Sequence, residues 1–484
     1  MSVATGNMYL DDNFAPVCEE VTALDLPFTG TIPEHLNGRY LRNGPNPLGD
    51  VDPATYHWFM GAGMVHGVRI RDGKAEWYRN RWVRSSDVAS ALGEPAHSGP
   101  LFGDDFASNT NVIEQAGRTF AIVEAGSHPY ELTDELDTIA PSDFDGTLPG
   151  AYAAHPKRDP KTGELHAVSY FWGWGNKVQY SVVGTDARAR RTVDIEVTGS
   201  PMMHDFSLTE HHVVLYDLPV VFDVNRAMQA APPPLRRPIG AVTRRVLAKH
   251  SLPDRLTGAL MRSGDASDMG LPYRWDSNYP ARVGVMPRDG GAADFRWFDI
   301  EPCYVFHPMN AYDDGDRIVL DVIRHPSMFA TDLNGPNEGP TTLDRWSIDL
   351  SAGKVIEERL DDESQEFPRV DERSVGRRNR FGYSVGLGGA IMPSGRLLRH
   401  DMETGTATAR EFGPGRLPGE FVFVPTGDDA SEGDGVLMGY VYDQASDKSD
   451  LVMLDAGSLE TVAEVHLPAR VPYGFHGNWM PTAG

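Results

Sequence analysis

The sequence predicts an all-β fold, a β-propeller carrying long insertions, and three observations lead there. Short segments of alternating polarity, bounded by Gly, Pro, Asn and Asp, recur along nearly the whole chain, while helical periodicity is rare. Hairpin turns of one loose form return far apart, in Ile348-Asp349-Leu350-Ser351-Ala352-Gly353, His400-Asp401-Met402-Glu403-Thr404-Gly405 and Leu454-Asp455-Ala456-Gly457. Four widely separated histidines share similar company, each closing an apolar or small-residue run beside a residue that stops regular structure. A weak repeat of irregular period fits radially repeated blades, and closed β architectures of this kind use 484 residues as one unit, 1–484. Two β-sandwiches would accept the same strands.

Taken in order, residues 36–43 read as a strand that ends in the turn cluster Arg42-Asn43-Gly44-Pro45-Asn46-Pro47. Residues 64–70, the turn Asp72-Gly73 and residues 74–82 form an alternating hairpin, and 111–115 with 118–124 repeat it around Ala116-Gly117. Residues 165–171 and 178–183 continue the pattern. Strands are then expected over 213–218, 282–286, 295–300, 318–323, 343–350, 383–392, 420–424 and 436–442.

A formal net charge of -25 repels phosphate backbones and argues against nucleic acid as a partner. Cys18 and Cys303 are the only cysteines, too few for a disulfide framework or a thiolate metal cage, which fits a reducing cytosol. Residues 1–13 lack the basic and apolar regions of a signal peptide, and no run reaches the roughly 18 apolar residues of a membrane span. The expected location is cytoplasmic, at most against a membrane. Residues 226–262 invert the local charge: Arg236, Arg237, Arg244, Arg245, Lys249 and Arg255 accompany many aliphatic residues, and the only acid is Asp254. This reads either as a basic amphipathic insertion that makes peripheral membrane contact, or as an insertion packed on the propeller with a solvated face.

The four histidines are His155 in Ala154-His155-Pro156, His204 in Met203-His204-Asp205, His307 in Phe306-His307-Pro308 and His476 in Phe475-His476-Gly477. No helical ligand motif unites positions so far apart, but innermost propeller strands converge on an axis where one histidine from each of several blades could meet. Imidazoles suit Fe, Zn, Cu and Ni, and four of them in an octahedral set leave two positions open, as oxygen chemistry at Fe(II) requires. Most of the 16 histidines are ordinary surface or core residues, and His57, His66, His211, His212 and His250 are read so. Gly382-Tyr383-Ser384-Val385-Gly386 matches a nucleophile elbow, which would make Ser384 a hydrolase nucleophile. The elbow needs a helix directly after it, and here another turn and strand follow.

Arg42-Asn43-Gly44-Pro45-Asn46-Pro47, His57-Trp58-Phe59 through Gly63-Met64-Val65-His66-Gly67, Ala154-His155-Pro156, Phe306-His307-Pro308, Glu366-Phe367-Pro368-Arg369 and Phe475-His476-Gly477 resemble the carotenoid cleavage oxygenase family, most closely its actinobacterial members. The resemblance runs from about Ala15 to the C-terminus. It implies a seven-bladed β-propeller with a helical or loop dome over the active-site face, and one Fe2+ per chain held by His155, His204, His307 and His476. It also implies second carboxylates behind the ligands at Glu124, Glu366 and Glu420, and a methyl group at Thr110 that crowds one iron position. A carboxylate on the far ring N–H would fix the tautomer and strengthen each ligand.

The implied reaction is dioxygenase cleavage of a conjugated C=C bond to two aldehyde or ketone products. Relatives that cleave phenolic stilbenes carry a lysine before the first glutamate and a tyrosine in a preceding loop. Here Val123 takes the lysine's place, and the loop after Leu101-Phe102-Gly103 passes through Asp104-Asp105 without tyrosine. The expected partners are therefore O2 and a hydrophobic polyene, a carotenoid or apocarotenoid, with Phe306 and Phe367 as substrate-tunnel walls. The alternatives are a stilbene- or phenylpropanoid-cleaving oxygenase, a retinoid-type isomerohydrolase on the same iron site, and a non-catalytic propeller scaffold.

Overall fold

The computed structural model describes residues 5–482, apart from 104, 106, 228–239, 241, 242, 244, 248–270, 334, 336, 337 and 390. Seven antiparallel sheets of four or more strands follow one another along the chain, with one small two-stranded ribbon beside them. Two β-sandwiches are thereby excluded.

Blade 2 is Asn111–Gln115, Arg118–Ile122, Tyr130–Leu132 and Thr138–Pro141, and blade 3 is Lys157–Arg158, Leu165–Tyr170, Lys177–Val183 and Ala189–Glu196. Blade 4 uses Phe206–Leu208, His212–Asp217, Arg282–Pro287 and Arg296–Asp299; blade 5 uses Tyr304–Asp314, Arg317–His325, Thr342–Asp349 and Lys354–Asp361. Blade 6 is Gln365–Val370, Phe381–Gly389, Met392–Asp401 and Thr406–Glu411. Each is a meander in which middle strands such as Leu165–Tyr170 are buried throughout, whereas the last strand, such as Ala189–Glu196, alternates between covered and exposed positions. Alternation in the sequence is therefore clearest at the rim, where only one face is covered.

Blades 1 and 7 close the ring twice. In blade 1 the last strand of the chain, Gly477–Pro481, pairs with Gly38–Pro45, followed outward by Gly63–Arg71, Lys74–Trp82 and Thr22–Leu24. In blade 7 the early strand Phe28–Gly30 pairs with Thr461–His466, outside Lys448–Asp455, Gly435–Asp443 and the interrupted inner strand Arg416–Pro418 and Val422–Pro425. The frayed C-terminus that chain position alone would suggest is thus the innermost strand of a sheet.

In such a meander the starts of innermost strands, the turns between second and third strands, and the connections between blades all lie at one end of the ring. Helix Ser86–Leu92 falls between blades 1 and 2, and Val224–Ala227 falls within blade 4 between its second and third strands. The dome at this end is mostly loop among the described residues. The ribbon Val220–Phe222 with Tyr273–Trp275 shows where the basic 226–262 segment leaves the fold. That segment lies outside the described residues except at 226, 227, 240, 243 and 245–247, where Leu247 packs with Phe171, Trp172 and Trp174.

Four strand expectations change. Residues 383–392 belong to two successive strands of blade 6. The turn cluster after Arg42 stays in strand through Pro45, because it pairs with Gly63–His66 and the Asn43 amide donates to the Ser108 and Asn111 carbonyls. The strands expected to contain Glu124 and Glu420 stop at Ile122 and start at Val422, which leaves both glutamates free of the ladder.

Closure depends on close backbone approach: a Cβ at Gly38 would collide with the Met480 carbonyl oxygen and the Trp479 ring. Gly38→Val is expected to destabilise the protein by about 1–3 kcal/mol, as overpacking does. A urea midpoint equal to that of the unmodified protein would show that the terminal pair adds nothing to stability.

Candidate metal centre

Each of the four histidines sits at the dome-side start of an innermost strand. His155 and His204 precede the first strands of blades 3 and 4, His307 lies within Tyr304–Asp314 of blade 5, and His476 precedes Gly477–Pro481 of blade 1. Local irregularity aims them. The ladder of blade 5 slips on both sides of Pro308, the residue after His307, and proline within a strand is tolerated at such bulges. Blade 6 slips between Glu366 and Arg369, and Phe367 there adopts φ 53°, a left-handed conformation rare for a bulky residue.

The ring nitrogens converge within 4.8 Å of one another, and all four residues are buried. His155 Nε2 is 3.0 Å from His204 Nε2, which is 3.1 Å from His307 Nε2. His204 Nδ1 is 2.7 Å from Glu124 Oε2, His307 Nδ1 is 2.6 Å from Glu366 Oε2 and His476 Nδ1 is 2.9 Å from Glu420 Oε1. A carboxylate can only accept, so Nδ1 carries the proton and each Nε2 presents a lone pair inward. Neutral lone pairs aimed at each other across 3.1 Å repel unless a cation lies between them. Two nitrogens about 2.1 Å from a shared ion are about 3.0 Å apart at a right angle and about 3.4 Å apart at a tetrahedral angle. The two observed separations match the right angle, so the residues fit a metal ion bound at near-right angles.

Electrostatics divides the four. Burial disfavours the charged form of His155, and with the neighbouring imidazoles it holds the pKa well below the ordinary value. Its nearest carboxylate, Asp205, stands 3.8 Å from Nδ1 and is engaged by Lys157. At His204 burial is outweighed by Glu124, and the pKa is raised; at His307 burial prevails over Glu366, and it is lowered. Burial also opposes ionisation of Glu366 and Glu420, yet His307 and His325 hold Glu366 well below the carboxylate range. For Glu420, Arg369, His476 and the Gly477 amide together outweigh burial and hold the pKa at about 2.

Thr110 is buried beside the centre: its carbonyl accepts from the His476 backbone N–H at 3.1 Å and its hydroxyl donates to Asn109 at 3.0 Å. The Phe306 ring stands edge-on 5.0 Å from His204, and the Phe367 ring stacks 5.6 Å from His307. A cavity of about 480 Å3 with a mixed lining, charged at Lys157, Asp205, Arg369 and Glu372 and apolar at Ile113 and Met309, reaches His155, His307 and His476. Neither phenylalanine lines it. Ser384 is buried in mid-strand and donates to Gln365 Oε1 at 2.7 Å, so it is no exposed nucleophile.

Two supports escaped the sequence reading. Asn111 donates to the Ala154 carbonyl at 3.0 Å and accepts from Asn478 at 3.0 Å, a contact across hundreds of residues that no local pattern encodes. His325 is 2.9 Å from Glu366 Oε1. It ends a strand and precedes Pro326, the same company that singled out His155 and His307.

A seven-bladed propeller with four buried imidazoles on its axis, three of them hydrogen-bonded to carboxylates, defines a protein with a cluster that could hold a metal ion. The sequence pattern of the retinal pigment epithelial membrane protein (RPE65) family matches residues 14–481, and the chain belongs to this family. The carotenoid cleavage oxygenase of Mycobacterium tuberculosis is 56% identical over 98% of this chain and 98% of its own. The carotenoid 9,10(9',10')-cleavage dioxygenase of Crocus sativus is 31% identical over 97% of this chain and 88% of its own. Among solved structures, Pseudomonas brassicacearum lignostilbene dioxygenase superposes with a TM-score of 0.81 at 25% identity over 98% of both chains. Cobalt-substituted Synechocystis ACO superposes at 0.78 with 24% identity, covering 99% of this chain and 98% of that one.

The Glu420 pKa of about 2 against an ordinary 4.5 means that its ionised form stabilises the fold above about pH 4.5, and that this contribution is lost as pH falls toward 2. Metal-free Glu420→Gln is therefore expected to be less stable than the parent at pH 7, with the gap closing on acidification through that window. A gap that stays constant from pH 7 to pH 3 in denaturant titrations would show that the carboxylate's charge is not what the fold uses.

Proposed function

We propose that the protein is a non-haem iron(II) dioxygenase that cleaves a conjugated C=C bond of a carotenoid or apocarotenoid into two aldehyde or ketone products. The observation that carries this reading is the all-imidazole cluster at right-angle spacing, in a chain whose relatives are named for carotenoid cleavage. Four histidines from four blades would hold one iron, and bound iron(II) supplies the electrons that let dioxygen react with an alkene.

The chain's own residues do the rest. Glu124, Glu366 and Glu420 fix the ligand tautomers and offset the 2+ charge. Thr110, tied to the His476 backbone, is assigned to narrowing one remaining position. Phe306 and Phe367 give the substrate an apolar surface against the ligand rings, which is their proposed role in positioning a polyene. Among the described residues the carboxylates Glu124, Glu366 and Glu420 face the outer nitrogens of the rings and Ser384 is buried in mid-strand, which disfavours hydrolysis. Buried Val123 beside Glu124 offers no cation to a phenolate, so a phenolic alkene comes second to a nonphenolic polyene. Iron analysis is expected to find about one atom per chain. With labelled dioxygen in unlabelled water and immediate reduction of the products, both are expected to carry label. Label in neither would sink the oxygenase reading, and faster turnover of a hydroxystilbene than of any apocarotenal would overturn the substrate assignment.

The substrate's solubility motivates a companion proposal, that residues 226–262 collect it from an anionic membrane surface. The segment leaves blade 4 at the histidine end of the ring, and its basic residues are each worth about 1 kcal/mol near such a surface. No helix among the described residues is long and apolar enough to cross a membrane. Both cysteines are free, which suits a cytoplasmic location. Charge reversal at Arg236, Arg237, Arg244 and Arg245 is expected to reduce sedimentation with anionic liposomes at low salt; unchanged sedimentation removes the segment from that role.

A further inference from the structure

Of the three carboxylates behind the ligands, Glu366 is held in a way of its own. Its Oε2 accepts from His307 Nδ1 at 2.6 Å and also from the Phe367 backbone N–H. Its Oε1 accepts from a second imidazole, His325 Nε2, at 2.9 Å. Both histidines come from blade 5, on adjacent strands, and the carboxylate reaches them from blade 6. Glu420 is pinned instead by the Gly477 N–H at 2.9 Å and by Arg369 at 3.5 Å.

His325 is 2% exposed, and the Phe306 ring lies edge-on to it at 5.2 Å. Facing an ionised carboxylate, Nε2 must carry the proton. The other ring nitrogen, Nδ1, is buried with no hydrogen-bond partner among the described residues. A buried unpaired polar atom is costly, and a phenylalanine or leucine would fill the same space without that cost. What only the imidazole supplies here is the Nε2–H directed at Glu366.

We infer that His325 is a positioning residue for the metal centre: it clamps the free oxygen of Glu366 so that the other oxygen holds His307 in its ligating tautomer and orientation. This rests on the reading of the four histidines as a metal site. Loss of the clamp frees the Glu366 side chain to rotate, and His307 loses the fixed acceptor that sets its ring. Changes behind a ligand of this kind typically cost 10–100-fold in metal affinity.

The test is cobalt(II) binding to metal-stripped full-length protein, by competition with a chelator and by the visible ligand-field spectrum, so that no turnover is needed. His325→Gln places an amide N–H near the Nε2 position, whereas His325→Asn places one near Nδ1, out of reach of Glu366. Affinity is expected to stay within about 3-fold for His325→Gln and to fall about 10–100-fold for His325→Asn and His325→Phe, with an altered spectrum for the latter two. In a Glu366→Ala background His325→Phe is expected to cost nothing further. Equal affinity in parent, His325→Asn and His325→Phe overturns the inference, as does an equal fall in all three variants accompanied by a lower unfolding midpoint of the metal-free protein, which would mark a packing role. If His325→Phe fails to fold, the Gln against Asn comparison decides alone. Absence of cobalt binding by the parent protein would instead overturn the metal-site reading itself.

Discussion

The structure turns on one electrostatic constraint: imidazole lone pairs forced to face each other on the propeller axis. His204 and His307 cannot rotate away, because their Nδ1–H groups are committed to Glu124 and Glu366. Such an arrangement persists only where the surroundings over-determine it, and the surroundings here are the whole ring. The four histidines come from blades 1, 3, 4 and 5, and the carboxylates from blades 2, 6 and 7, so all seven blades contribute. His476 meets His155 only because the last strand returns to pair with Gly38–Pro45. Double closure is therefore a requirement of the site as much as of stability.

The same constraint explains where regular structure fails. A ladder that ran unbroken would alternate its side chains and could not point Glu366, Phe367 and His307 toward a common axis. The slips around Pro308 and between Glu366 and Arg369, and the gap in blade 7 that contains Glu420, re-aim those side chains. Strain is paid at Phe367, and the ring so placed packs on both His307 and His476.

Much of this was legible in the sequence because proline and glycine mark the breaks. His155-Pro156, His307-Pro308 and His476-Gly477 stand out where strand pattern meets a residue that cannot continue it, and the turn recurrence made a ring of blades the economical fold. Pairing was not legible from pattern alone. Nothing local says that Glu124 serves His204 across one intervening blade, or that Asn478 meets Asn111. His325 carried the same signal as the ligands, and a criterion of strand end plus proline selects it equally. Its exclusion from the cluster depends on side-chain direction: it faces the back of Glu366 rather than the axis.

His155 is the exception that gives the site its asymmetry. Among the described residues no carboxylate lies within hydrogen-bond reach of it, and Asp205, 3.8 Å away, is neutralised by Lys157 at 3.0 Å. Burial and three neighbouring imidazoles keep His155 neutral without help, since its pKa is well below that of a free histidine. A further carboxylate there would have to be desolvated in the protein interior, a cost that its absence beside His155 avoids. The pair Lys157 and Asp205 instead lines the cavity that reaches three of the histidines, while Phe306 and Phe367, which do not line it, pack on the His204 and His307 rings.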